Sequence, residues 1–588
     1  MRRTMIALFV GTSLTLAAPA VAGPAETASF HRLMDDYWAA YLKTSPLSAS
    51  QAGVQSYDAQ LDLVGTAQMD RQAAAAAGFL ARLNTISAAG LDPADQTNRA
   101  ILKRQLEGAI EGNRFGQRQL LYSTLGSYHN MLAGMAEQLP FRVRADYDNY
   151  LSRLALVPDR MRAYSDLSVA AARQGFVQPC VTMTGFETSI TGVIAADPAK
   201  SRFYLPFAGA RPSVVADADW GALQERARGL ISSRINPSYQ SFDDAYVRDI
   251  RGKCRASVGA SALPNGAAYY AYQVRQQTTT DLTPEAIHQL GLREVARIRA
   301  EMVEVATKAG YPTREAMIAE LRSNPKYFAR TPTELMAAAA LQAKTIDGKM
   351  PTLFTRLPRL PYGVREIPAE TAAGNTTAYY QPGSPDAGIA GTYYVNTSKL
   401  DQRPLWELPA LTVHEAVPGH HMQIALQQEL EMPPWRKYTV FFTAFVEGWG
   451  LYSERLGIEM GIYDTPEKNM GRLSYEMWRA CRLVVDTGLH AKGWSKGQAV
   501  AFMKDNSALT DANIDAEVNR YISNPGQALA YKLGELKIRE LRARAVQQLG
   551  PKFDLRRFHD AVLGQGAVPL DALEAQIDAW IAAEKARA

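Results

Sequence analysis

The chain has 588 residues, enough for one large or two ordinary domains with substantial cores. Hydrophobic residues make up 47% and charged residues 21%, the balance of a globular chain rather than a disordered one. The net charge of +5 is small for this length, and no polybasic run adds to it, which argues against a dedicated nucleic-acid binder.

The first element is a leader. Arg2 and Arg3 precede a largely apolar run from Met5 to Ala18, and Ala20-Val21-Ala22 then forms a small-residue site before Gly23. A basic start, a short apolar core and such a site predict a secretory signal peptide over residues 1–22. Cleavage there removes two arginines and no acid, so the mature charge falls to +3. The apolar run is too short to span a bilayer comfortably, and no other stretch is long enough, so no stable membrane insertion is expected. No cysteine follows the cleavage site to carry a lipid. The expectation is an exported protein, periplasmic or extracellular.

Most of the remaining chain has helical period. Phe30, Leu33, Met34, Tyr37, Trp38 and Tyr41 recur at spacings of three and four, and the alanine-rich stretch from Gln68 to Leu83 continues in that mode. Cys180 and Cys254 lie in polar, loop-like surroundings and could pair in an oxidising compartment, whereas Cys481 sits in an apolar helical pattern and reads as buried. Small residues, Pro and Gly cluster near residues 257–270. The boundary drawn there separates an N-terminal helical half, residues 23–265, from a C-terminal catalytic half, residues 266–588, with the two packing as one body. Thr283-Pro284-Glu285 then predicts a helix start that runs until Gly310, and Thr331-Pro332-Thr333-Glu334 predicts a second with a capping box. The pattern breaks over residues 351–400, where Pro, Gly, Tyr and Thr accumulate and the segment GTYYVNT, 391–397, has strong strand propensity. The fold class is therefore mostly α with a small β-sheet, which lies just before a cluster of histidines.

That cluster, LTVHEAVPGHHMQ, holds three of the eight histidines. Three cysteines cannot form a four-thiolate site, so any metal here must rely on histidine and carboxylate. A catalytic zinc needs three protein ligands, an open position for water and a carboxylate to take that water's proton. His414 and Glu415 supply a ligand and an adjacent base. The second histidine is the difficulty. On an unbroken helix a six-residue step turns about 600° and puts His420 on the wrong side, while a seven-residue step carries His421 about 10 Å along the axis. Pro418 forbids an unbroken helix and Gly419 permits an unusual conformation, so a bulge there can bring a histidine back over His414. The third ligand is expected from FFTAFVEGWGLYSERLG, where Glu447 lies among Phe445, Val446 and Trp449 and would be costly to bury without a cation. Glu454, two turns on, is placed to orient a ligand histidine.

HEAVPGHHMQ, FVEGWGLYSE, RLVVDTGLHAKGW and RYISNPGQALAYKLG occur in this order, and with them the chain from Phe30 onward resembles the bacterial DUF885 family, regarded as predicted zinc metallopeptidases. That family is similar in turn to helical zinc peptidases, including oligopeptidases and angiotensin-converting-enzyme-like dipeptidyl carboxypeptidases, which use H-E-x-x-H and a glutamate from the next helix. The resemblance implies a large helical body around a deep cleft. It also implies one zinc held by His414, His420 and Glu447, and Glu415 as the base. The Pro-Gly insertion departs from the usual motif and leaves His420 and His421 in competition. His420 is preferred because Gly-His follows the insertion as in related motifs, and His421 is left to point toward substrate or to pack.

Hydrolysis also needs a donor for the developing oxyanion and a grip on the substrate. Tyr531 is the first candidate for the oxyanion and Tyr521 the second. Arg520 and Lys532 are candidates for a substrate carboxylate, with Gln527 beside them, which favours an exopeptidase of dipeptidase or dipeptidyl carboxypeptidase type. Asp486 and His490 are four apart and could form a carboxylate–histidine pair on the cleft wall, although Arg482 is an alternative partner for Asp486. Tyr393, on the predicted strand, is placed to align substrate backbone. The expected function is hydrolysis of short peptides by zinc-activated water. A zinc-dependent amidase acting on modified or non-peptide amides, or a non-catalytic peptide-binding protein, would carry much of the same site.

Overall fold

The helix starts lie where the cap residues put them. Helix α1, Pro24–Thr44, buries Phe30, Leu33 and Met34 along one stripe. Helix α2, Pro284–Lys308, begins at Thr283, whose hydroxyl accepts from the Ala286 N–H; beyond its end Gly310 takes φ +84°. Helix α3, Pro332–Asp347, begins at Thr331, which accepts from the Glu334 N–H, while the Glu334 carboxylate reaches back to the Arg330 N–H at 2.8 Å. This is a computed structural model, and it describes residues 23–116, 120, 127–372, 375–386 and 388–587. The leader read at residues 1–22 lies outside them.

The expected sheet has three strands: β1 Tyr362–Glu366, β2 Ala378–Gln381 and β3 Gly391–Val395. Their order is β1-β3-β2, with β1 parallel and β2 antiparallel to β3. The segment with the strongest strand propensity is therefore the central strand, and β2 keeps an open edge. The rest of the described chain is overwhelmingly helical, so the fold is mostly α.

Six further helices position the site: α4 Leu408–Glu415, α5 His420–Glu429, α6 Thr443–Leu456, α7 Pro466–Ala491, α8 Asp511–Ser523 and α9 Ala530–Leu549. Every residue of α7 from Met470 to His490 is buried, as expected of a helix enclosed on all sides. Its charged residues must therefore find partners inside the protein. Helices α6 and α9 pack backbone to backbone. A β-carbon added at Gly448 would sit 2.5 Å from Gly534 Cα, and one at Gly534 would collide with the Ala444 carbonyl oxygen.

The core does not respect the midpoint of the chain. Phe30, Leu33 and Leu106 belong to one apolar cluster with Phe445, Trp449 and Ile538, so the halves drawn at residue 265 share a core. A second cluster joins Ile298 and Met302 of α2 to Leu473 and Met477 of α7, and a third lies wholly in the N-terminal half around Tyr150, Leu154 and Tyr239. Cys180 and Cys254 form a disulfide, and Cys481 is free and buried. No described helix is long and apolar enough to cross a membrane.

Candidate functional site

The break between α4 and α5 is the expected bulge. Helix α4 stops at Glu415, residues 416–419 leave helical geometry, and α5 starts at His420. A β-carbon at Gly419 would collide with the carbonyl oxygens of His414 and Val413, so only glycine lets the chain fold back this tightly. The turn is pinned by Trp449 Nε1, which donates to the Pro418 carbonyl at 2.7 Å. The result sets the His414 and His420 rings edge to face with centroids 4.7 Å apart.

Glu447 meets them from α6. Its Oε2 stands 3.5 Å from His414 Nε2 and 3.3 Å from His420 Nε2, yet it is aligned for a hydrogen bond with neither, and this buried oxygen has no other hydrogen-bond partner among the described residues. His420 Nδ1 is also buried without a hydrogen-bond partner among them. His414, His420 and Glu447 each offer one ligand atom, all within 4.8 Å of one another. Ligands at about 2.0–2.1 Å from a tetrahedral ion lie about 3.3–3.4 Å from each other, which matches the two carboxylate–imidazole separations. The donor set therefore fits a single zinc-like cation. Burial opposes the charge on Glu447, but the His420 and His414 imidazoles outweigh it and hold the carboxyl well below its usual range.

The residues behind this trio orient it. His414 Nδ1 meets Glu454 Oε1 at 2.8 Å, and Arg479 braces the same carboxylate oxygen at 3.1 Å. Burial alone would lower the His414 pKa; the adjacent carboxylates of Glu447 and Glu454, and then the charge of Glu415, instead raise it to about 9. Gly450 of α6 leaves room for the ring, since a β-carbon there would lie 2.8 Å from His414 Cε1.

A cavity of about 290 Å³ opens on the trio. His414, Glu415, His420, Glu447, Arg520 and Tyr531 line it, so six of the residues singled out in the sequence share one cavity. Tyr531 lies beside His414, with ring centroids 6.4 Å apart, and its hydroxyl accepts from Gln527 Nε2 at 3.3 Å. A larger cavity of about 640 Å³ adjoins it across Pro382, Ile424, Phe441 and Val446.

Other candidates stand elsewhere. His421 is excluded from the trio because both its nitrogens are used: Nε2 donates to the Leu360 carbonyl at 3.0 Å and Nδ1 accepts from the Tyr380 hydroxyl at 2.9 Å. Burial lowers its pKa to about 4. Asp486 and His490 do not pair. Asp486 accepts from the Tyr270 hydroxyl and the Gly526 N–H, while His490 accepts from the Ala260 N–H and donates to the Tyr521 carbonyl. Both are fully buried and away from the cavity lining. Lys532 is likewise fully buried, among Glu294, Glu476 and Glu535, and ties α2, α7 and α9 together. The Tyr521 hydroxyl is enclosed by Trp478 Nε1 at 2.8 Å and Arg482 Nε at 2.9 Å. Gln527 sits behind the wall, accepting from Arg520 Nη1 at 2.9 Å. Tyr393 is on the central strand and turned into the core toward Thr412; the outer strand β2 presents Ala378, Tyr379 and Tyr380 to the cavity instead.

The sequence reading missed Trp478, Arg479 and Glu517 on the cavity wall, and treated Arg482 only as a partner for Asp486. Arg482 pairs with Glu517 of α8 at 3.0 Å. The signal was the pair of arginines in MWRACR, two permanent charges in a helix otherwise suited to complete burial.

A family model described as "Bacterial protein of unknown function (DUF885)" matches residues 46–577. The chain belongs to the DUF885 family. It is similar over 95% of its length to a candidate lipoprotein from Colwellia psychrerythraea, covering all of that chain at 28% identity with a TM-score of 0.87. A candidate lipoprotein of unknown function from Shewanella oneidensis shares the fold at 20% identity and a TM-score of 0.69, over 94% of this chain and 99% of that one. No curated protein matches. Within this DUF885 chain the family match takes in the whole His414–His420–Glu447 centre and the arginines facing it.

Proposed function

We propose that the chain is an exported zinc-dependent peptidase that hydrolyses short peptides. The observation that carries this reading is the convergence of His414, His420 and Glu447 beside a further carboxylate, Glu415, on a cavity wall. His414, His420 and Glu447 would hold a zinc ion, which when bound would supply Lewis-acid polarisation of the scissile carbonyl and of the attacking water. Glu415 takes the proton from that water and passes it to the leaving amine. Glu454 holds His414 with its Nδ1 proton engaged, which leaves Nε2 as the ligand atom. The Tyr531 hydroxyl donates to the oxyanion as it forms; burial, and then the charge of Glu447, raise its pKa and keep it protonated for that task. The open edge of β2 offers backbone groups with which an extended peptide can pair across the cavity.

Short peptides are the substrates because the trio lines a cavity of about 290 Å³, a space suited to a few residues of extended chain. Export is supported by the leader pattern, by the Cys180–Cys254 disulfide, and by the description of the Colwellia psychrerythraea neighbour as a candidate lipoprotein. The test is to load the purified mature chain with zinc, offer a mixed library of di- to octapeptides and read the products by mass spectrometry. Hydrolysis that a chelator abolishes and zinc restores is the expected outcome. No product from any peptide would overturn the reading.

A further inference from the structure

One part of the cavity wall is formed by Arg479, Arg482 and Arg520, and the carboxylates paired with them are Glu454 and Glu517. Glu415 and Glu447 line the same cavity, so these arginines are the cationic part of a lining of mixed charge. The arginines differ in how far they are engaged. Arg520 gives Nε and Nη2 to Glu517 and Nη1 to Gln527. Arg479 pairs Nη2 with Glu454 and gives Nη1 to the Tyr475 carbonyl, and its buried Nε has no hydrogen-bond partner among the described residues. Arg482 gives Nε to the Tyr521 hydroxyl and Nη2 to Glu517, but its Nη1 is buried with no hydrogen-bond partner among the described residues. The guanidinium lies against two aromatic rings, its central carbon 4.6 Å from the Trp478 centroid and 4.3 Å from that of Tyr531.

A buried guanidinium donor left without an acceptor is costly to keep. The side chain is fixed by two rings and two hydrogen bonds, so it is already placed for a fixed partner. We infer that this wall binds the free C-terminal carboxylate of the peptide, with Arg482 Nη1 as the principal donor and Arg520 beside it. The inference rests on the peptidase reading and sharpens it. The carboxylate end occupies the small arginine-walled cavity, and the N-terminal part of the peptide leaves across Phe441 and Pro382 into the adjoining 640 Å³ cavity. Cleavage then falls near the C-terminus, and the enzyme acts as an exopeptidase from that end. Tyr531 ties the two functions together, because the same ring that faces His414 packs on the guanidinium that reads the carboxylate.

The experiment uses the Glu415→Gln chain loaded with zinc, so that binding is read without turnover. Its probes are the tetrapeptide Ala-Leu-Phe-Ala as the free acid, as the C-terminal amide, and as the N-acetylated acid. The acid is expected to bind about tenfold or more tighter than the amide, the weight of one charged hydrogen bond, with N-acetylation making little difference. In an Arg482→Met background the acid should fall to the affinity of the amide, while the amide is unchanged; Arg482→Lys should recover part of the difference. Equal binding of acid and amide to the Arg482-containing chain overturns the inference, and that comparison needs no substitution at Arg482 and so no assumption that the variant folds. Turnover by the wild-type chain is read separately. Discrimination between acid and amide without cleavage sustains the carboxylate site and defeats the peptidase reading. Equal cleavage of both does the reverse.

Discussion

His414 Nδ1 and Glu454 Oε1 lie 2.8 Å apart inside the protein, and Arg479 holds the same carboxylate oxygen from α7. The contact fixes which imidazole nitrogen is free, so it would govern the proposed metal site without touching the ion. Replacing Glu454 by Gln keeps the shape and an amide oxygen but removes the charge. Metal affinity, measured by competition with a chelator, should fall about 10- to 100-fold. Unchanged affinity would mean that the pair is only structural.

Gly450 gives a sharper steric test. A methyl group there would press on the His414 ring from 2.8 Å, and the ring is held by Glu454 through Nδ1. Gly450→Ala should lose zinc while the helical circular-dichroism signal survives, at a cost of about 1–3 kcal/mol in stability typical of overpacking. Full zinc occupancy in the variant would show that the ring has room to move.

Glu415→Gln and Tyr531→Phe should separate the two catalytic roles. The first removes the base and should lower kcat by about 10²- to 10⁴-fold with zinc retained. The second removes the oxyanion donor and should lower kcat by about 10²- to 10³-fold with KM nearly unchanged. Tyr521→Phe should instead act on stability, by about 1–3 kcal/mol, because its hydroxyl accepts from Arg482 and Trp478 in the core. A Tyr521→Phe enzyme that folds normally but shows the Tyr531→Phe kinetics would exchange the two assignments.

Asp486 provides a pH signature away from the metal. Burial raises its pKa from 3.8 to about 7, although Tyr270 and Gly526 donate to it. Between these values the folded chain holds a proton that the unfolded chain has released, so stability falls as pH rises from about 4 to 7 and levels off above. Each pH unit crossed in that window costs about 1.4 kcal/mol. Denaturant unfolding at a series of pH values should show this slope, and Asp486→Asn should flatten it. An identical slope in the variant would assign the effect to other groups.

The return of His420 to His414 was legible in the sequence because Pro418 and Gly419 announce that the helix cannot continue. The choice between His420 and His421 was not legible. It depends on Leu360 and Tyr380, distant segments that occupy both nitrogens of His421. The helix starts at Thr283 and Thr331 were readable from local cap chemistry alone. Tyr393 was misplaced because strand propensity marks a strand without saying which strand lies at the edge, and the central one faces the core. Asp486 and His490 looked like a pair at helical spacing, but α7 is enclosed on every side, and each found a different partner on another element. The arginine wall was hidden for the same reason: Arg482 meets Glu517 only when α8 packs against α7.

The proposed mechanism requires one zinc ion between His414, His420 and Glu447. Its most direct measurement is a crystal structure of the mature chain grown with zinc, with anomalous data collected at the zinc absorption edge. The expected result is a single strong peak within coordinating distance, about 2.0–2.2 Å, of His414 Nε2, His420 Nε2 and a Glu447 oxygen. A peak bonded to His421, or no peak at the trio in a chain that hydrolyses peptides, would refute that placement.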